Sequence, residues 1–176
     1  MIKIGILGDI GSGKTFVANQ FGYPVFNADI EVSKIYKNSK SCFKILKKKF
    51  PNHIFTFPIN KKEISKLILL NKKNLKKINK IVHPIVRSRM NKFISKNKRK
   101  KILVLDIPLL LENRIKKKDF TLIFVDAKKK DIVKNLKKRK SYNLKIIKLL
   151  RKFQVPLNHK KKISNFIIKN NFKMES

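Results

Sequence analysis

The chain opens on an apolar run, Ile2, Ile4, Ile6 and Leu7, whose β-branched majority suits a strand buried on both faces of a parallel sheet. Just beyond it Val17, Ala18 and Phe21 recur at helical spacing, and Gly22 offers that helix a stop. Four further short apolar runs read as strands: Pro24 to Phe26, Ile102 to Leu105, Thr121 to Val125 and Phe166 to Ile168. Helical patterns separate them. Such alternation predicts an α/β fold, with a five-stranded parallel sheet, helices on both faces and right-handed crossovers.

Between the second and third strands, residues 43–90 read as mostly helical, broken around Pro51 and Pro58. Leu75, Ile78, Val82, Ile85, Met90 and Phe93 keep an apolar stripe, and Pro84 fits the first turn of a new helix, with His83 just before it. From Lys128 to Lys162 the pattern predicts a pair of basic helical stretches around Arg139 and Lys140, with Ile146, Ile147, Leu149, Leu150 and Phe153 as apolar positions. That pair reads either as a solvated hairpin or as a lid that closes over phosphates and excludes water.

Composition narrows the class. A chain of 176 residues is expected to form one domain. Its single cysteine, Cys42, excludes an internal disulfide and a thiolate metal cluster, and reads as a small buried residue. The chain enters its first strand at Ile2 and no apolar stretch is long enough to span a bilayer, so a soluble cytoplasmic protein with no membrane partner is expected. The net charge of +36 would attract polyanions non-specifically. Its make-up argues against specific nucleic-acid recognition: the 46 basic residues are 40 Lys and 6 Arg, spread along the chain without interleaved aromatics. Lys, Ile and Asn share A/T-rich codons, and compositional drift explains their abundance.

The candidate chemistry begins in the glycines, all five of which lie between Gly5 and Gly22. Gly8-Asp9-Ile10-Gly11-Ser12-Gly13-Lys14-Thr15 fits the phosphate-cradling pattern at every fixed position, and it sits where that pattern must, between a buried strand and a helix. Backbone N–H groups from Gly11 to Thr15 would face the β-phosphate, Lys14 would reach the β/γ oxygens, and the Thr15 hydroxyl can ligate Mg²⁺. Ligands of open parallel sheets bind at the carboxyl ends of the strands. Three of the ten acids fall there: Asp29 just past the second strand, Asp106 ending the third and Asp126 ending the fourth. Asp106 is the second Mg²⁺ candidate, acting through water, and Asp126 can equally cap the helix that follows.

These elements together resemble the dephospho-CoA kinase family. The resemblance is carried by Gly8 to Thr15, Asn27-Ala28-Asp29, His83-Pro84 with Arg87, Pro108-Leu109-Leu110-Leu111-Glu112-Asn113, Arg139, Gln154 and Asn170, in order along essentially the whole chain. It implies a P-loop kinase three-layer fold with a core (1–30, 101–127 and 163–176), a helical acceptor-binding insert (31–100) and a basic helical lid (128–162). It also implies phosphorylation of the ribose 3′-hydroxyl of dephospho-CoA by ATP with Mg²⁺. In that scheme Asp29, Lys14 and Arg139 are catalytic. ATP is held by Asp9, Ile10, Gly11, Ser12, Gly13, Lys14, Thr15, Phe16, Arg139 and Asn170, the last near the adenine. The acceptor is held by Asp29, His83, Arg87, Leu109, Leu110 and Glu112. The expected partners are ATP and dephospho-CoA, and the expected state is a monomer.

Five departures from the family pattern stand out. Asp9 replaces a second loop glycine and adds negative charge near the phosphates, Asn27 replaces an acid, and Asn135 replaces a common lid arginine. Ser164-Asn165 replaces the frequent Ala-Asp before the last strand, and the chain stops at Ser176, short of a terminal helix that many members carry. Reduced turnover is the expectation they raise. Two other functions fit the loop alone: a kinase of another small acceptor, such as a nucleoside monophosphate, and a basic P-loop nucleic-acid-binding NTPase.

Overall fold

The computed structural model describes residues 1–107, 119–139 and 142–172. The described residues fall into two compact units, one formed by residues 1–27 and 96–172 and the other by Ala28–Ser95.

The first unit carries the sheet. Strands β1 (Ile2–Gly8), β2 (Val25–Asn27), β3 (Ile102–Asp106), β4 (Thr121–Asp126) and β5 (Phe166–Lys169) pair in parallel in the order β2-β3-β1-β4-β5. All five coincide with the predicted runs to within one residue at either end. Ile4, Ile6, Val104, Ile123 and Val125 pack against Val17 and Ala18 of helix α1 (Lys14–Gln20). The alternate residues Leu7, Leu103, Leu105, Leu122 and Phe124 point to the other face and are buried too. Both faces are therefore covered, which is why these strands are continuous apolar runs instead of alternating ones.

Because β1 sits mid-sheet, with β3 and β2 on one side and β4 and β5 on the other, its carboxyl end is the topological switch point. Register then lines up the strand ends: Asn27 pairs with Asp106, Asp106 with Ile6, Gly8 with Val125 and Asp126 with Lys169.

The basic segment differs from the predicted pair. It forms three helices, α6 (Lys129–Lys137), α7 (Leu144–Lys152) and α8 (Leu157–Lys162). The third starts directly after Pro156, whose ring cannot continue α7 but suits a helix entry. Within α8, Lys160 is wholly buried and its Nζ donates to Gln154 Oε1 at 3.2 Å.

The second unit is helical: α2 (Ala28–Asn38), α3 (Lys40–Lys49), α4 (Lys61–Leu70) and α5 (Lys72–Lys96). The break between α3 and α4 spans Pro51 and Pro58, as predicted. Ser39 and Asn60 cap the helices that follow them, accepting from Cys42 N at 3.2 Å and Lys62 N at 2.8 Å. Cys42 is fully buried, and burial pushes its thiol pKa up. One expectation fails: Pro84 does not begin a helix but lies inside α5, which runs unbroken for 25 residues. An internal proline costs roughly 3 kcal/mol, and burial of Leu75, Ile78, Val82 and Met90 along that one helix offsets it.

Glu31 is the electrostatic anchor of this unit. Its carboxylate takes Arg89 Nη1 at 3.0 Å and Lys34 Nζ at 2.7 Å with only 16% of its side chain exposed. Burial pushes its pKa up, but the two hydrogen bonds and their charges outweigh burial and hold it below the ordinary 4.5. A lowered carboxylate stabilises the fold above its ordinary pKa and loses that contribution as pH falls through the folded value. Glu31→Gln should therefore lower the melting temperature at pH 7 by about 2–4 °C, the equivalent of roughly 1 kcal/mol. The gap between variant and parent should close as melts are recorded progressively below pH 4.5, and a gap that stays constant would contradict it.

Candidate active site

In the loop after β1, the carbonyls of Gly8, Asp9, Gly11 and Ser12 each accept from a side-chain donor. Lys14 Nζ donates to the Asp9 carbonyl at 2.7 Å and the Gly8 carbonyl at 3.5 Å. Asn135 Nδ2 donates to the Gly11 carbonyl at 3.0 Å, and Asn170 Nδ2 to the Ser12 carbonyl at 2.9 Å. The close packing explains two glycines. Gly11 has φ +86°, and a Cβ there would lie 2.6 Å from Leu136 Cγ; Gly13 has φ +89°, and a Cβ would lie 2.1 Å from Asn170 Nδ2. Ile10 packs with Ile132, Leu136 and Ile147, so the loop is seated on α6 and α7.

At the other end of the loop, Thr15 Oγ1 donates to Asp106 Oδ2 at 2.5 Å, and Asn27 Nδ2 donates to the same oxygen at 2.7 Å. Asp106 is 2% exposed, and its Oδ1 has no hydrogen-bond partner among the described residues. Burial raises its pKa, against the opposing pull of the Thr15 bond and the Lys14 charge. A buried carboxylate oxygen left open beside a hydroxyl is a hard-oxygen pair of the kind Mg²⁺ takes, so the residues present fit that ion. Asn27 fits the same arrangement, because an amide can donate to Asp106 whereas a second carboxylate would repel it.

The remaining predicted residues divide by location. Asp9 is nearly buried, and its carboxylate is held by Arg151 Nε at 3.0 Å and Nη2 at 2.7 Å. Phe16 is 45% exposed on α1. Arg139 is exposed just beyond the end of α6. Asn170, expected near an adenine, has its amide committed to Ser12 and its Oδ1 to Phe172 N at 3.0 Å. Asp126 pairs with Lys161 at 2.8 Å.

In the helical unit, Asp29 lies exposed in the first turn of α2, and His83 and Arg87, four residues apart, share one face of α5. Leu109, Leu110 and Glu112 lie outside the described residues. Sequence reasoning missed Arg151 as a loop contact and assigned no contact to Asn135. The available signal for Arg151 was an uncompensated acid, Asp9, in a chain with six arginines.

A family model described as dephospho-CoA kinase matches residues 2–176. The chain belongs to the dephospho-CoA kinase family. A Wolbachia relative from Brugia malayi, named dephospho-CoA kinase, is 35% identical over 170 residues, covering 94% of this chain and 87% of its own length. A Bartonella quintana relative of the same name is 32% identical over the same coverage. Among solved structures, one from Thermus thermophilus aligns with a TM-score of 0.77 at 26% identity, covering 97% of this chain and 88% of that one. The Campylobacter jejuni dephospho-CoA kinase, at 23% identity and a TM-score of 0.65 over 96% and 88% of the two chains, shares the fold. The parallel-sheet P-loop kinase architecture expected from the sequence is thus borne out, and no described helix is long and apolar enough to cross a membrane.

The two bonds of Asn170 generate a direct test of how the loop is held. Asn170→Ala should cost about 1 kcal/mol per lost bond and lower the melting temperature by about 4–8 °C in thermal unfolding. An unchanged melting curve would mean the loop keeps its shape without this side chain.

Proposed function

We infer that the protein transfers the γ-phosphoryl group of ATP to the ribose 3′-hydroxyl of dephospho-CoA, releasing ADP and coenzyme A in the last step of coenzyme A synthesis. The observation that carries the reading is the family match over residues 2–176, whose signature loop closes on Lys14, Thr15 and Asp106.

Phosphoryl transfer asks a protein mainly for positioning and charge neutralisation. Lys14 trades its loop carbonyls for the β/γ oxygens when nucleotide arrives, a short movement for a flexible ammonium. Thr15 and Asp106 are the residues that would hold Mg²⁺, and the ion supplies positive charge to the phosphates when bound. Asp29, exposed in the first turn of α2, accepts the proton of the acceptor hydroxyl as its oxygen bonds to the γ-phosphorus and the bond to ADP breaks. Arg139 brings lid charge to the transferring group. His83 and Arg87, on one face of α5, serve an anionic acceptor, and the resemblance assigns Leu109, Leu110 and Glu112 to acceptor binding as well. The protein acts in the cytoplasm as a monomer, with ATP and dephospho-CoA as its partners.

ADP release should require ATP, Mg²⁺ and dephospho-CoA together, and a chelator should abolish it. Replacing Asp29 with Asn should lower kcat by about 100-fold while changing the KM for ATP far less. ADP formed without the acceptor, or equally well with nucleoside monophosphates, would overturn the assignment.

A further inference from the structure

Asp9 places a carboxylate inside a loop built to hold phosphates, and the same residue shapes that loop. Its carbonyl takes Lys14 Nζ at 2.7 Å and Ser12 N at 3.2 Å, and its Oδ1 takes Ile10 N at 2.6 Å. With its side chain 12% exposed, little water remains to screen its charge. Arg151, in the last turn of α7, supplies both Nε and Nη2 to the two carboxylate oxygens, the planar bidentate geometry that only arginine offers.

Asn135 and Asn170 also hold the loop, through neutral amides to carbonyls. Of Arg151, Asn135 and Asn170, only Arg151 brings charge to the loop from outside it.

We propose that Arg151 is a positioning residue for the ATP site: it neutralises Asp9, so that an acidic phosphate loop accepts a triphosphate, and it clamps α7 to the loop in doing so. This rests on the ATP-dependent kinase reading. Without its partner, the Asp9 carboxylate would face the nucleotide phosphates as a like charge in a partly dry site, and would be free to draw Lys14 away from them. Arg151 need not touch the nucleotide for this to hold. Its effect on ATP passes entirely through Asp9.

A double-mutant cycle separates that role from a direct one. Binding of Mg²⁺-ATP to the full chain is measured by calorimetry, alongside KM and kcat with dephospho-CoA. Arg151→Ala should weaken Mg²⁺-ATP binding by about tenfold or more and raise the KM for ATP in step, with kcat changed less than about threefold. Arg151→Lys, which keeps the charge but not the fork, should fall between. In an Asp9→Gly background the same Arg151→Ala change should cost less than about threefold. An equal loss in both backgrounds would overturn the proposal and make Arg151 a direct phosphate ligand, and no loss in either would show that the pair does not bear on ATP. Circular dichroism melts of each variant confirm folding, and Arg151→Lys keeps the comparison available should Arg151→Ala unfold. Failure of the parent protein to phosphorylate dephospho-CoA, with this coupling intact in calorimetry, would sink the acceptor assignment and leave the present inference standing.

Discussion

Asp106 ends β3 almost wholly buried, with two donors on one oxygen and none described on the other. Removing a carboxylate from water is costly, and one that is half satisfied stays costly. The described donors offset that cost on one oxygen only. Thr15 ties the start of α1 to it, Asn27 ties the end of β2 to it, and the parallel register sets both strand ends level with β1. Its pKa is raised by burial although Lys14 sits close enough to pull it down. The open oxygen beside the Thr15 hydroxyl is the hard-oxygen pairing that fits a divalent ion.

The loop obeys a complementary constraint. A backbone that turns its N–H groups toward an anion turns its C=O groups away from it, and those carbonyls need donors of their own. Lys14, Asn135 and Asn170 provide them. Asn135, read from sequence as a lost lid arginine, is therefore a brace on the back of the phosphate loop. Asn170 serves the same purpose from the end of β5. Departures from a family pattern thus change meaning once their partners are known: a side chain can leave one role and fill another within the same site.

The strands were legible because burial on both faces demands apolar β-branched runs, which few other elements share. The phosphate-loop pattern was legible for a related reason, since eight consecutive residues, Gly8 to Thr15, carry it. Asp29, His83 and Arg87 could be placed only through resemblance, because nothing local links an acid on α2 to a basic face on α5. Pro84 misled because helix-start preference is a local signal, whereas the stripe from Leu75 to Met90 decides the matter through packing. Lys160 and Arg151 were hidden by composition. Among 46 basic residues, one that is fully buried and one that grips the loop look like all the others.

That masking has a physical limit, visible in where arginine persists. If lysine has spread by drift, it should have replaced arginine wherever a point charge suffices and stopped where a planar fork or a dry pairing is needed. Asp9, whose side chain is only 12% exposed, is gripped on both oxygens by Arg151, whereas Glu31, 16% exposed, needs two partners, Arg89 on one oxygen and Lys34 on the other. Asp126, 38% exposed, is served by a lysine. An exposed pair loses little by the exchange, because water screens both partners and the ammonium is easily accommodated. A covered carboxylate has fewer alternatives: a lysine would leave one oxygen short of a donor and would itself be harder to strip of water. Arg151 therefore marks a place in this lysine-rich chain where geometry, and not charge alone, is required.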